Sequence, residues 1–254
     1  MAENISLLIG SAFLFLALAA VAILARKGRL GGRMHLLLMA VAVALGFILF
    51  APVLPFQLMS FLQGGDQAPQ LMAAVLIVAV LALALLMGRL YCGGACPIGS
   101  LQELLYLIPG KKVIYADRKK LFAVRGVVLL AMIIAVLAGH SNPLIALGVK
   151  STFSLQASGS SLIFIAILLV SVFWYRPFCR ILCPYGALMT ISSSKIVIGL
   201  RRNQKCVSCS ACEKACPTGE SYQESAGRDC YLCGRCTQRC KFNAIEYDLK
   251  EKKK

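Results

Sequence analysis

Apolar residues in this chain come in long unbroken runs, at about 5–25, 34–55, 71–90, 121–139 and 161–177. A membrane-spanning helix needs roughly 20 mostly apolar residues, and each run approaches that length. The first run has no basic stretch ahead of it and no small-residue cleavage site behind it, so it reads as a retained helix and not as a signal peptide. After residue 200 the runs stop and short polar stretches punctuated by cysteine take over. The pattern predicts an all-α integral membrane protein of about five transmembrane helices, followed by a small C-terminal α+β domain.

Composition agrees. Of 254 residues 59% are apolar and 15% charged, a balance that excludes a single soluble domain. The formal charge of +16 invites a nucleic-acid reading, but its distribution excludes one. Basic residues gather in "RKGRLGGR" (26–33) and "GKKVIYADRKK" (110–120), whereas the loops at 56–70 and 140–160 carry only Asp66 and Lys150 as charged residues. Basic loops stay in the cytoplasm. The N-terminus is therefore expected outside a prokaryotic inner membrane and the C-terminus inside, with the basic charge facing anionic lipid.

Segment 201–254 carries twelve basic and seven acidic residues and eight of the twelve cysteines. It reads as a separate cytoplasmic domain joined through "SSSKIVIGLRRNQ" (192–204). Its cysteines are spaced Cys206-x2-Cys209-x2-Cys212-x3-Cys216-Pro217 and Cys230-x2-Cys233-x2-Cys236-x3-Cys240. This is the bacterial ferredoxin spacing, twice. Three thiolates two residues apart wrap one face of a cubane, and the fourth of each run reaches the other cluster. One [4Fe–4S] cluster is thus expected on Cys206, Cys209, Cys212 and Cys240, and a second on Cys230, Cys233, Cys236 and Cys216. A reducing cytoplasm disfavours disulfides, and zinc sites show separated cysteine pairs. The second run ends Cys240–Lys241 where the first has proline. With few apolar residues, the domain is expected to draw much of its folding energy from its metal.

The membrane part repeats. A shift of 87 residues carries Cys92, Cys96, Pro97 and Gly99 onto Cys179, Cys183, Pro184 and Gly186, and Arg89 onto Arg176. Fixed-period self-similarity implies a duplicated unit, here a helix pair ending in Cys-x3-Cys-Pro-x-Gly and repeated in parallel. The chain divides into an extra N-terminal helix and basic loop (1–33), a membrane core (34–200) of two units (34–120 and 121–200), and the tail (201–254). Two units related by an axis along the membrane normal would bring four thiols together at the inner surface. A third cluster on Cys92, Cys96, Cys179 and Cys183, beside Arg89, Arg176 and Arg180, is the favoured reading. Structural or redox-active thiols are the alternative. Short amphipathic helices are expected after each turn, at "GSLQELLYLIP" and "GALMTISSS".

Other residues carry less. His35 and His140 fall at opposite ends of the bundle, so they cannot share a haem iron, and both are expected at the surface. Arg125 is expected to snorkel to the inner surface, or else to hold a cofactor or headgroup. Glu103 is expected to be solvated, with a proton-carrier role as the alternative. "GRLGGR" lies between spans and is no nucleotide loop. No catalytic acid–base pair or nucleophile stands out, so catalytic residues are unknown.

Two Cys-x3-Cys-Pro turns after membrane spans, followed by a two-cluster ferredoxin tail, resemble the NapH-type membrane iron–sulfur proteins, quinol dehydrogenase subunits of periplasmic nitrate reductase systems. NosR-type and CcoG-type proteins look similar. The resemblance covers about residues 71–245. It implies electron transfer between quinol and a redox protein partner in a respiratory or energy-converting complex, with quinone and partner subunits as further ligands. NapH-type proteins have four spans, where five are counted here. A metallocofactor-assembly or metal-reducing accessory protein and a redox-sensing regulator are the alternatives.

Overall fold

The computed structural model describes residues 2–27, 32–48, 58, 67–113, 118–139, 142–193, 196–221 and 229–249. Helices α1 (Ala2–Arg26), α2 (Arg33–Ile48) and α3 (Gln67–Met87) occupy the first three apolar runs. A π-helical turn at Tyr91–Ala95 leads into α4 (Pro97–Tyr106), and α5 (Arg118–Leu137) fills the fourth run. Two short helices, α6 (Pro143–Ala146) and α7 (Val149–Phe153), precede α8 (Gly159–Val170). A second π-helical turn (Phe178–Leu182) then leads into α9 (Pro184–Ser192).

The repeat read from the cysteines is a repeat of structure. The two π-turns begin 87 residues apart, as do α4 and α9. In the first unit α2 packs on α4 and the first π-turn, and in the second α5 packs on α9 and the second π-turn. The units also interlock, since α3 lies against α9 and α8 against α4. Phe153, Phe164 and Phe178 form an aromatic stack in the core, with centroids 6.3 and 5.5 Å apart in succession.

The fifth run departs from expectation. Helix α8 has 12 residues, about 18 Å of rise, against a hydrocarbon core of about 30 Å. Past Val170 the chain tightens into turns, with Val172 N bonded to Leu169 O and Phe173 N to Val170 O. The loop after α4 seizes this end: Lys112 Nζ donates to Val172 O at 2.7 Å, and Val113 N to Phe173 O at 2.9 Å. Among the described residues one helical segment, Lys120–Leu137, is by itself long and apolar enough to cross a membrane.

The bundle is inside-out by the standards of a soluble protein. Leu130, Ile134 and Leu162 are 61, 65 and 68% exposed, while Arg89, Arg176, Ser100 and Gln102 are fully buried. The tail contributes β1 (Ile198–Arg202), α10 (Ala211–Ala215), α11 (Arg235–Arg239) and β2 (Ile245–Leu249). The two strands pair antiparallel, Leu200 opposite Tyr247, and β1 straddles the boundary drawn at residue 200. The sheet sits against the ends of α1 and α3, where Tyr247 Oη donates to Met87 O at 3.0 Å.

Candidate iron–sulfur sites

Each Cys-x3-Cys-Pro-x-Gly turn follows from its residues. The first cysteine lies inside the π-turn, closed by Cys96 N to Tyr91 O at 3.0 Å in one unit and Cys183 N to Phe178 O at 2.9 Å in the other. The second cysteine is extended and caps the next helix, which opens on a proline whose missing N–H costs nothing at that position. Its sulfur then faces backbone N–H groups, of Ile98 and Gly99 for Cys96 and of Tyr185 and Gly186 for Cys183. The glycine is required by contact. A Cβ at Gly99 would lie 2.7 Å from Cys92 O, and one at Gly186 2.6 Å from Cys179 O.

The fold brings the four repeat thiols together. Cys179 lies within electrostatic reach of Cys92, Cys96 and Cys183, and Cys183 within reach of Cys92 and Cys96. Cys92, Cys96 and Cys179 are each 5% exposed, and Gln102 Nε2 approaches Cys179 Sγ at 3.8 Å. Burial, then the neighbouring Cys96, pushes the Cys92 thiol up to about 11. So crowded a set resists ionising on its own, whereas a coordinating thiol is deprotonated outright. The donor set therefore fits a metal cluster held by four thiolates.

The two repeat arginines are exchanged between the units. Arg89 Nη2 of the first unit donates to Gly186 O at 3.1 Å and to Thr190 Oγ1 in the second. Arg176 of the second unit donates to Cys92 O and to Glu103 Oε2, the latter at 2.9 Å, in the first. Thr190 is the 87-residue equivalent of Glu103, so the crossing is pseudo-symmetric at that position, while the carbonyl partners differ, Gly186 O for Arg89 and Cys92 O for Arg176. At position 190 threonine replaces the acid, and the tail supplies one: Asp229 Oδ1 sits 2.8 Å from both Arg89 Nη2 and Arg125 Nη1.

Tyr231 completes the junction. Its ring lies 4.9 Å from the Arg89 guanidinium and 4.8 Å from that of Arg176, and its hydroxyl accepts from Arg89 Nη1 at 2.6 Å. Arg235 pairs with Glu103 at 2.6 Å and covers the rings of Tyr106 and Tyr175. The second cysteine run of the tail is thus clamped onto the repeat thiols.

In the tail, Cys216, Cys230, Cys233 and Cys236 line one cavity of about 250 Å³. Cys206, Cys209, Cys212 and Cys240 line a smaller second one. The last cysteine of each run lines the other run's cavity. Burial alone would raise the Cys216 thiol, but the hydroxyls of Thr218 and Ser221 and the N–H groups of Thr218 and Glu220 hold it below its ordinary value. Among the described residues no three His, Cys, Asp or Glu side chains close to the spacing of a single metal ion, and a cubane spreads its thiolates wider than that.

Several expectations are corrected. Glu103 is 2% exposed and ion-paired with Arg176 and Arg235, not solvated. His35 is fully buried beside Gly94, not at the surface, because α2 packs directly on the first π-turn. Arg125 is 2% exposed and ends on Asp229, not in headgroups. His140 lies outside the described residues. Tyr231, Asp229, Arg235 and Thr190 were not singled out from sequence. A signal was present, since "CYLCGRC" carries Tyr231, Leu232 and Arg235 where "CVSCSAC" carries Val207, Ser208 and Ala211.

The family model described as "4Fe-4S binding domain" matches residues 69–114 and 159–203. These segments are the ends of the two repeat units and contain all four repeat thiols. An uncharacterized protein of Methanocaldococcus jannaschii is 32% identical over 73% of this chain and 82% of its own length. The ferredoxin-type protein NapH of Escherichia coli is 28% identical over 67% of this chain and 64% of its own. The regulatory protein NosR of Pseudomonas aeruginosa is 29% identical over 65% of this chain and 22% of its own. No solved structure matches. The duplicated 4Fe–4S domain and these relatives place the chain in the NapH/NosR-type family of iron–sulfur electron-transfer proteins.

Proposed function

We propose that the chain is a five-span inner-membrane electron carrier with three [4Fe–4S] clusters, passing electrons between the quinone pool and a cytoplasmic redox protein. One cluster is held by Cys206, Cys209, Cys212 and Cys240, a second by Cys230, Cys233, Cys236 and Cys216, and a third by Cys92, Cys96, Cys179 and Cys183. Bound there, cubanes supply single-electron steps that split the two-electron quinone couple. The observation that supports this reading is the junction at Tyr231, which joins the second cysteine run of the tail to Arg89 and Arg176 of the repeat turns.

The remaining roles belong to the chain's own residues. Arg89 and Arg176 lock the two thiol turns face to face. Glu103, Asp229 and Arg235 fix the tail in register with them. The π-turns and their proline-led helices aim N–H groups at sulfur. Large apolar side chains exposed on α1, α2, α3, α5 and α8 support a lipid-facing surface. The basic loops support an orientation with the tail in the cytoplasm.

The test is electron exchange with quinone. The protein is purified anaerobically in detergent and chemically reduced, and a short-chain quinone analogue is added. The bleached iron–sulfur absorbance is expected to recover as quinol forms. Clusters that neither reduce quinone nor accept from quinol, over the full range of poised potentials, contradict the reading.

A further inference from the structure

The two tail cavities differ in what surrounds them. The larger takes Met87, Gly88 and Tyr175 from the helical bundle into its lining, whereas the smaller is lined by tail residues alone, from Arg202 to Ile245. Cys209, on the smaller one, is the exposed cysteine of the twelve. Among the described residues after 200, the large apolar side chains that stand exposed are Val207 and Phe242, at 57 and 49%, and both line this same cavity. Single apolar residues on a surface mean little, but this pair flanks one cysteine set. Basic residues ring it. Lys205 and Lys241 stand next to Cys206 and Cys240, Arg239 lies on the other side of Cys240, and Lys214 lies two residues past Cys212, all four exposed. The acids close by in sequence are engaged. Glu213 pairs with Arg202 at 2.7 Å, and Glu246 accepts from Asn203 and stands opposite Arg201 across the strands. Glu220 lines the larger cavity instead, and Asp248 pairs with Gly199 toward the other end of the two-stranded sheet.

We propose that the rim of the smaller cavity is the docking port for a small, strongly acidic electron carrier, an iron–sulfur or flavin protein, which seats on Val207 and Phe242 with its carboxylates on Lys205, Lys214, Arg239 and Lys241. The proposal rests on the cluster assignment above. An apolar centre inside a polar rim is the usual build of a protein interface, and complementary rim charge speeds encounter and fixes register. The larger cavity is the inner relay. Cys212 and Cys216 lie about one helical turn apart on α10 and line different cavities, as do Cys236 and Cys240 on α11, so two short helices join the tail sites. Beyond the relay, Gly93, next to Cys92, packs so closely on Tyr231 O, next to Cys230, that a Cβ there has no room. The order is carrier, smaller cavity, larger cavity, repeat thiols. Each encounter moves one electron. The carrier's cofactor is oxidised by one, the cubane on Cys206, Cys209, Cys212 and Cys240 is reduced by one, and no bond or proton moves.

Binding and cross-linking of the whole anaerobic protein in detergent test this, with a strongly acidic two-cluster bacterial ferredoxin and a flavodoxin as probes. At low salt at least one probe is expected to bind and to release as salt rises. Zero-length carbodiimide coupling, read by mass spectrometry, is expected to join the probe's carboxylates to Lys205, Lys214 or Lys241. Lys205→Glu combined with Lys241→Glu is expected to weaken binding about tenfold or more. Phe242→Ser is expected to weaken it with the salt dependence kept, and Lys111→Glu, the same charge change on the loop after α4, to leave it unaltered. Should the first pair fail to load iron, Lys214→Glu with Arg239→Glu carries the same comparison. Binding of neither probe, equal binding by the rim pair and Lys111→Glu, or cross-links gathered on the basic loop at 110–120 overturns the proposal alone. A reduced EPR spectrum of the unaltered protein without two tail signals overturns the cluster assignment and the proposal with it.

Discussion

Arg89 and Arg176 occupy the same place in the two repeat units, and each guanidinium bonds across to the opposite unit, Arg89 to Gly186 O and Arg176 to Glu103. The exchange explains how two thiol turns separated by 87 residues are held face to face without a covalent link. Both arginines are fully buried, so each depends on its partners, and each partner on it.

Removing one member should therefore be costly. Arg176→Ala leaves Glu103 buried between Tyr175 and Arg235, and breaking a buried pair from one side costs about 3–5 kcal/mol. A drop in the thermal-unfolding midpoint in detergent is expected. An unchanged midpoint would mean that the arginine exchange does not hold the units together.

The two motif glycines should fail alike. Gly99→Ala and Gly186→Ala each drive a methyl group to within 2.7 Å of the carbonyl oxygen of the first motif cysteine, Cys92 or Cys179, so each turn must open. Both variants should lose the same share of iron and keep the tail clusters. Normal iron content in either variant would contradict the assigned turn geometry.

Tyr231 should act as the hinge pin of the tail. Tyr231→Phe removes the 2.6 Å bond from Arg89 but keeps the ring, at a cost of about 1.5–3 kcal/mol for a charged partner. Tyr231→Ala also removes the ring that both guanidiniums cover, at about 3–5 kcal/mol. Limited proteolysis should release the tail readily from the alanine variant and slowly from the phenylalanine one. Equal release from both would mean that the ring does no clamping.

The crossed partition gives a sign test within the tail. Cys240→Ser should disturb the EPR signal shared with Cys206, Cys209 and Cys212, and Cys216→Ser the signal shared with Cys230, Cys233 and Cys236. If each serine instead disturbs the cluster of its own run, the partition is reversed.

What could be read from the residues is what chemistry makes specific. Thiol spacing, the proline after it and the glycine that clears a carbonyl admit few substitutes, so the 87-residue repeat stood out. The crossing of Arg89 and Arg176 did not, because a repeated arginine does not say whose carbonyl it meets. Tyr231 was hidden for a similar reason, since an aromatic between two ligand cysteines reads as local packing until a second unit is seen beneath it. His35 and Glu103 read as surface residues from sequence because a histidine or acid near a helix end usually is one. The packing of α2 on the first π-turn and the docking of Arg235 reversed that. The turn after α8 is tied down by Lys112 bonding to Val172 O, a contact across 60 residues that no local pattern announces.

The central claim is that the four repeat thiols share one cluster beneath the tail. Iron analysis of the anaerobic protein, taken with its reduced EPR spectrum, tests that most directly. About twelve iron atoms per chain are expected, falling to about eight in both Cys92→Ser and Cys179→Ser with loss of one common signal. About eight in the unaltered chain, unchanged by either serine, would contradict it.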